Sequence, residues 1–174
     1  CYQRLTDRYR MAPHMKTLRI QKENATFQVL KAIKTNRQKR AKRGEIFVEG
    51  VAAINAAAAS GIPSASVVHS EDRRLSDWAH DMIDRLNPDT RLILSDRLMA
   101  EISDRTDPSE LIVVFKRPTP TLQDIKISPA PFVVILDRPS NTGNLGSLVR
   151  SCDAFGVDSV ITTGHGVDIY DPQV

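Results

Sequence analysis

Residues 132–136, "FVVIL", are an unbroken apolar run. A loop rich in Asn, Gly and Pro follows at 137–144. Leu145, Leu148, Val149, Cys152 and Phe155 then recur at helical spacing, with Gly156 as the stop, before a second strand-like run, "DSVIT". A strand apolar on both faces, a helix and another strand make a βαβ unit, whose crossover is right-handed and whose strands are parallel. Ligands of such units lie beyond the carboxyl ends of the strands, where 137–144 sits.

The preceding part of the chain alternates in the same way. Phe27, Leu30 and Ile33 predict a helix over 24–36, with Asn24 as cap and Gly44 ending the segment. "EIFVEG" reads as a strand. "VAAINAAAAS" reads as a helix closed by Gly61, with Pro63 beyond, and "ASVVHS" as a strand. Ser76 caps a helix with Trp78, Ala79, Met82, Ile83 and Leu86 on one face, which places Trp78 in the core; "RLILS" and a short helix over 96–102 follow. "LIVVF" at 111–115 has the composition of a central buried strand. A proline-rich stretch without periodicity then reads as a semi-rigid linker. The expected organisation is an extension at 1–22, an α/β domain at 23–115, a linker at 116–130 and a second unit from 131 to 174.

With 174 residues and 41% apolar composition, the chain can bury one ordinary core or two small ones. It has no apolar run long enough to span a bilayer and no signal-peptide core at its start, so a cytoplasmic location is expected and a membrane partner is not. Cys1 and Cys152 have no metal-ligand spacing, and no metal is expected; Cys152 reads as a small core residue. Cys1, where an initiator Met would stand, points to a fragment or a trimmed chain.

Charge is concentrated. "KAIKTNRQKRAKR", residues 31–43, carries seven Lys and Arg and no acid; subtracting these from the chain's +3 leaves −4 for the rest. Such a patch on an acidic body is the footprint of a polyanion partner, with Arg37, Lys39, Arg40, Lys42 and Arg43 as candidate RNA contacts. On charge alone it is equally a solvated helix end. The 137–144 loop has a similar ambiguity. "PSNTGN" can turn sharply and aim backbone N–H groups at an anion from a helix N-terminus. It lacks the P-loop Lys and the full dinucleotide fingerprint, and by itself a structural turn is the better reading. If Asn144 caps the helix, Arg150 can reach back toward the strand ends.

The stretch "FVVILDRPSNTGNLGSLVRSCDAFGVDSVI" resembles the first motif of the TrmH/SpoU branch of the SPOUT RNA methyltransferases: an aliphatic strand, N-x-G-N, an Arg six residues after the second Asn, and a D-A-F-G helix end. "NRQKRAKRGEIFVEGVAAINAAAASG" and "TDPSELIVVF" resemble the start and last strand of that family's substrate-binding domain, with Glu110 where Gly is common. The resemblance covers residues 30–174 and assigns the basic patch to RNA. It implies an α/β fold with a small RNA-binding domain ahead of a SPOUT domain, whose parallel sheet leads into a knot.

The resemblance also implies methyl transfer from S-adenosylmethionine to a ribose 2′-hydroxyl of ribosomal or transfer RNA by a homodimer. Asn144 and Arg150 become the candidate catalytic residues. Because a guanidinium keeps its proton, Arg150 is expected to clamp a phosphate and orient the hydroxyl, with Asn144 supporting it. Thr163 and Gly164 are candidate cofactor contacts at a strand end. The later motifs that build the family's cofactor knot do not occur before Val174, so this portion is expected neither to bind the cofactor tightly nor to methylate, and its strand edges to aggregate or to take a partner strand. The alternative is a non-catalytic RNA-binding module. His165 and Asp168 lie in a polar loop without partner spacing and are not expected to do acid–base chemistry.

Overall fold

The structure, a computed structural model, describes residues 15–125 and 128–174. Two sheets form among the described residues. The first contains β1 (Lys16–Ile20), β2 (Glu45–Glu49), β3 (Ser64–Ser70), β4 (Thr90–Leu94) and β5 (Ile112–Lys116), in the order β1-β4-β3-β5-β2. β1, β4 and β3 are parallel neighbours, while β5 runs antiparallel to both β3 and β2.

Helices cover both faces of this sheet. On one face α1 (Ala25–Thr35) and α5 (Asp96–Ile102) bring Phe27, Leu30, Leu98 and Met99 against Val68, Leu92, Ile112 and Val114. On the other, α3 (Val51–Ala59) and α4 (Asp77–Leu86) bring Ile54, Ala79, Met82 and Ile83 against Val67, Val113 and Phe115. Both sets of side chains on β5 are therefore buried, which is why its sequence reads as continuous rather than alternating. Trp78 is half-buried, and its indole N–H donates to Asn55 at 3.0 Å.

Three expectations change here. Residues 16–20 are not an extension: they form the edge strand β1, in register with β4 from Lys16 opposite Thr90 to Ile20 opposite Leu94. "KTLRI" is too short and too charged to stand out, because only Leu18 and Ile20 face the core. Residues 1–14 of the expected extension lie outside the described residues. The helical stretch before Gly44 is two helices, α1 and α2 (Arg37–Arg43). Asn36 closes the first, its N–H reaching the Ala32 carbonyl, and caps the second, its side chain accepting from the Lys39 N–H at 3.1 Å. Gly44 ends α2 in the left-handed conformation, φ +62°.

The third change concerns "FVVIL". β6 (Val133–Asp137) and β7 (Ser159–Thr163) form a parallel pair flanking α6 (Thr142–Ala154), the βαβ order expected. Two strands and one helix cover only one face, however, so Val134 and Leu136 are half-buried while Ile135 is exposed. On α6, Leu145 and Cys152 are buried, but Val149 and Phe155 face outward.

Candidate functional site

The carboxyl ends of β6 and β7 are tied together. Asp137 accepts from the Thr163 hydroxyl at 2.8 Å and from the Arg138 guanidinium at 2.9 and 3.0 Å, and the Arg138 N–H donates to the Thr163 carbonyl. The Arg138 guanidinium, followed by the Thr163 hydroxyl, holds the Asp137 carboxyl below the usual carboxylate range. Arg138 itself is left-handed, at φ +46°. The loop after β7 folds onto this turn, with the Val167 N–H donating to the Pro139 carbonyl at 2.7 Å. A Cβ at Gly166 would sit 2.8 Å from that carbonyl oxygen, so glycine permits the approach.

Thr163 and Gly164 are thus engaged within the protein. The Thr163 hydroxyl donates to Asp137, and Gly164, at φ +67°, packs against the Arg138 side chain. Both residues are exposed at the end of β7, and a hydroxyl that donates to Asp137 keeps its acceptor lone pairs.

At the start of α6 the cap is Asn141, not Asn144. The Asn141 side chain accepts from the Asn144 N–H at 2.9 Å. Two Asn three residues apart satisfy the capping rule in only one order: the first caps and the second supplies the N–H. Asn144 is exposed in the first turn, and its side-chain amide makes no hydrogen bond among the described residues.

Arg150 lies two turns further on, exposed, with Nη2 3.3 Å from the Ser147 hydroxyl and no carboxylate in ion-pair range among the described residues. Its guanidinium folds back along the helix: a Cβ built on Gly146 would lie 3.3 Å from Nη1. The same Cβ would collide with the carbonyl oxygen of Val174, the last residue of the chain, which lies against this glycine. α6 thus carries an amide at Asn144 in its first turn, unpartnered among the described residues, and, further on, an arginine whose guanidinium reaches back to Ser147 and Gly146.

The basic stretch is less free than its sequence implies. Lys31 pairs with Glu101, Lys34 with Asp104, and Arg43 with Glu45 at 2.7 Å. Arg40 is a correction to the expected RNA contacts. It is 1% exposed; Nε donates to Asp168 at 2.7 Å, Nη2 to Asp171 at 2.8 Å, and Nη1 to the Ile33 and Lys34 carbonyls. A guanidinium has five N–H donors in a fixed fork, and burial is tolerable only when acids and carbonyls receive them, as here.

Arg37, Lys39 and Lys42 remain exposed, with no acid partner among the described residues; Arg37 donates to the Gly166 carbonyl at 2.6 Å. The segment after β7 therefore touches α2 through Gly166, Asp168 and Asp171, and the 137–139 turn through Gly166 and Val167. Tyr170 extends this strap: its hydroxyl donates to the Pro118 carbonyl at 2.8 Å, and Arg117 lies over its ring. Asp168, expected to be an idle loop residue, is one of its anchors. Nothing in the sequence marked the pairing, since Arg40 stands 128 residues from Asp168 and 131 from Asp171.

Residues 24–113 match the family model of the SpoU L30e-like domain, and residues 131–174 match that of the SpoU rRNA methylase family. The chain belongs to the SpoU methylase family. A 23S rRNA (uridine(2479)-2'-O)-methyltransferase of Streptomyces viridochromogenes is 35% identical over 156 residues, which is 89% of this chain and 54% of that protein. The mitochondrial rRNA methyltransferase 3 of Mus musculus is 28% identical over 140 residues, 78% of this chain and 32% of its own length.

Among solved structures, the SpoU methyltransferase AviRb from Streptomyces viridochromogenes, in complex with the cofactor AdoMet, superposes with a TM-score of 0.76 at 34% identity, over 87% of this chain and 57% of that one. An AdoMet-bound rRNA methyltransferase from Sinorhizobium meliloti, at 20% identity, shares the fold with a TM-score of 0.79 over 90% of this chain and 58% of that one. The α/β fold with its parallel strands is thus the family's, and the chain spans little more than half the length of the Streptomyces relative.

No described helix is long and apolar enough to cross a membrane. No group of three His, Cys, Asp or Glu among the described residues is placed to hold a metal.

Proposed function

We propose that the protein containing this chain transfers a methyl group from S-adenosylmethionine to a ribose 2′-hydroxyl of ribosomal RNA, with the chain supplying the RNA-binding domain and the first part of the catalytic one. The observation that carries this reading is Arg150: an exposed arginine without a carboxylate partner among the described residues, folded back along α6 toward Gly146 and Ser147, on the helix that follows the β6 strand-end loop. A 2′-hydroxyl is a poor nucleophile, and placing it in line with a sulfonium methyl is the larger part of the problem. Arg150, which stays charged, binds the adjacent phosphate and orients the hydroxyl, while the Asn144 amide, also unpartnered, supports the same contact.

Arg37, Lys39, Lys42 and the half-committed Arg43 hold the RNA backbone, and Arg40 holds the helix that bears them. S-adenosylmethionine is the methyl donor of the whole protein. Thr163 and Gly164, exposed at the end of β7, are among its candidate contacts. A homodimer and a cytoplasmic location belong to the same proposal; the uncovered apolar groups Ile135 and Phe155, which a further layer of protein would bury, bear on the first.

The competing reading is an RNA-binding module without catalysis. In the whole protein, Arg150→Ala separates the two: the enzyme reading requires turnover to fall steeply with RNA affinity mostly kept. An Arg150→Ala protein with unchanged turnover refutes it.

A further inference from the structure

Beneath α1, between the helix and the sheet, a slot of about 190 Å³ opens to the surface. Its walls are aliphatic, with Leu18, Val29 and Leu92 prominent. Its polar groups are the hydroxyls of Thr26, Ser66 and Thr90, none of which hydrogen-bonds to a side chain or backbone group among the described residues, together with the Arg43–Glu45 pair. Ser66 and Thr90 are side by side, opposite each other in the β3–β4 register. Against the slot lies a second concavity, between α1 and α2, lined by Gln28, Val29, Ala32, Lys39, Lys42 and Arg43; Val29 and Arg43 belong to both. No acid lines the second one.

We propose that the slot takes one unstacked nucleobase of an RNA strand whose phosphates run along Lys39 and Lys42. The proposal rests on the RNA reading above and adds a base-binding site to it.

Size decides first. One water needs about 10–15 Å³ on this measure, and whole small ligands occupy sites of about 300–1,000 Å³. The slot lies between, on the scale of a single ring system. Chemistry agrees. Aliphatic walls receive the two faces of a base. Its edge carries both donors and acceptors, and a hydroxyl can meet either. Glu45 is already engaged by Arg43 and Lys116, but a carboxylate has about four lone-pair sites, and one can accept from a base amino group. Arg43 stands at the junction, where a guanidinium plane can stack on a base while its charge faces the backbone. Charge fixes the orientation, because the basic groove admits only the polyanionic part of the ligand. A duplex cannot enter, since its bases are stacked and paired, whereas RNA recognition by splayed single-stranded bases needs such a slot.

The test uses the chain itself and four probes, short homopolymeric RNA strands of A, C, G and U, beside a blunt RNA duplex of equal length, each titrated across a range of salt. Ser66→Leu fills the slot from its floor. It is expected to weaken binding of at least one homopolymer by about 5- to 100-fold, the range for one base contact. The slope of log K against log salt should stay unchanged, because no phosphate contact is lost, and duplex binding should not change. Lys39→Ala with Lys42→Ala should do the opposite, flattening the salt slope for strands and duplex alike.

A Ser66→Leu chain that binds every strand as the unsubstituted chain does, or that loses strands and duplex equally, overturns the slot. A lysine double variant that changes neither probe overturns the RNA reading itself. In the unsubstituted chain, NMR should show Overhauser contacts between base protons and the methyls of Val29 and Leu92 in the complex with the best-bound strand. Their absence overturns the proposal whatever the variants do.

Discussion

Replacing Arg40 by Met removes the charge while keeping a long, unbranched apolar stem. Asp168, 9% exposed, would then be a buried carboxylate without a cation, and Asp171, more accessible, would lose its partner as well. Breaking one side of a buried pair costs about 3–5 kcal/mol, most of it the penalty of the stranded charge. At about 1.36 kcal/mol per tenfold, that is two to nearly four powers of ten in an opening equilibrium. The cost should fall first on the strap, because its ties to α2 are few: the Arg40 pairs and the bond from Arg37 to Gly166.

Native-state hydrogen exchange is therefore the assay. The amides of Val167 and Tyr170, which donate to Pro139 and Asp168, should lose protection by that factor in Arg40→Met, while β3 and β5 change little. Adding Asp168→Asn and Asp171→Asn should restore most of it, since no uncompensated charge is left. Protection within about 0.5 kcal/mol of the unsubstituted chain in Arg40→Met, the size of an ordinary surface substitution, would refute the reasoning.

Asn141→Ala should destabilise the chain by about 1 kcal/mol, as loss of a helix cap does, and Asn144→Ala by no more than about 0.5 kcal/mol, both read from denaturant unfolding; equal costs would mean that Asn144 shares the cap. Because Asp137 has its carboxyl pulled below the usual range by Arg138 and Thr163, its contribution is present above the ordinary carboxylate range and lost as pH falls through the depressed value. Carbon-detected NMR titration should find that low midpoint, and Thr163→Val should move it upward; an ordinary midpoint in the unsubstituted chain would contradict the contact.

What could be read from the sequence was whatever repeats within a few residues. The 3.6-residue stripe of α1, the caps at Asn24 and Ser76 and the doubly buried β5 all leave local marks, and all are in the structure. β1 left none, because an edge strand with two inward residues looks like a charged tail. The helix over 24–36 was legible nearly to its end, but α2 was not legible as a helix of its own, because its polar sequence has no apolar stripe and only the Asn36 side chain marks its start. In the site, the positions of the 137–144 loop and of Arg150 followed from the βαβ order, but the identity of the cap did not. The fate of Arg40 was the least readable. Its six basic neighbours look alike in sequence, and which one turns inward is decided by two acids that meet it only after the second unit has folded against the first.

The position of the transferred methyl group tests the account most directly. The whole protein that contains this chain, given radiolabelled S-adenosylmethionine and ribosomal RNA, should yield after nuclease digestion a single nucleoside labelled on its ribose 2′-oxygen. Label on a base, or no label from a folded protein that binds both substrates, would contradict it.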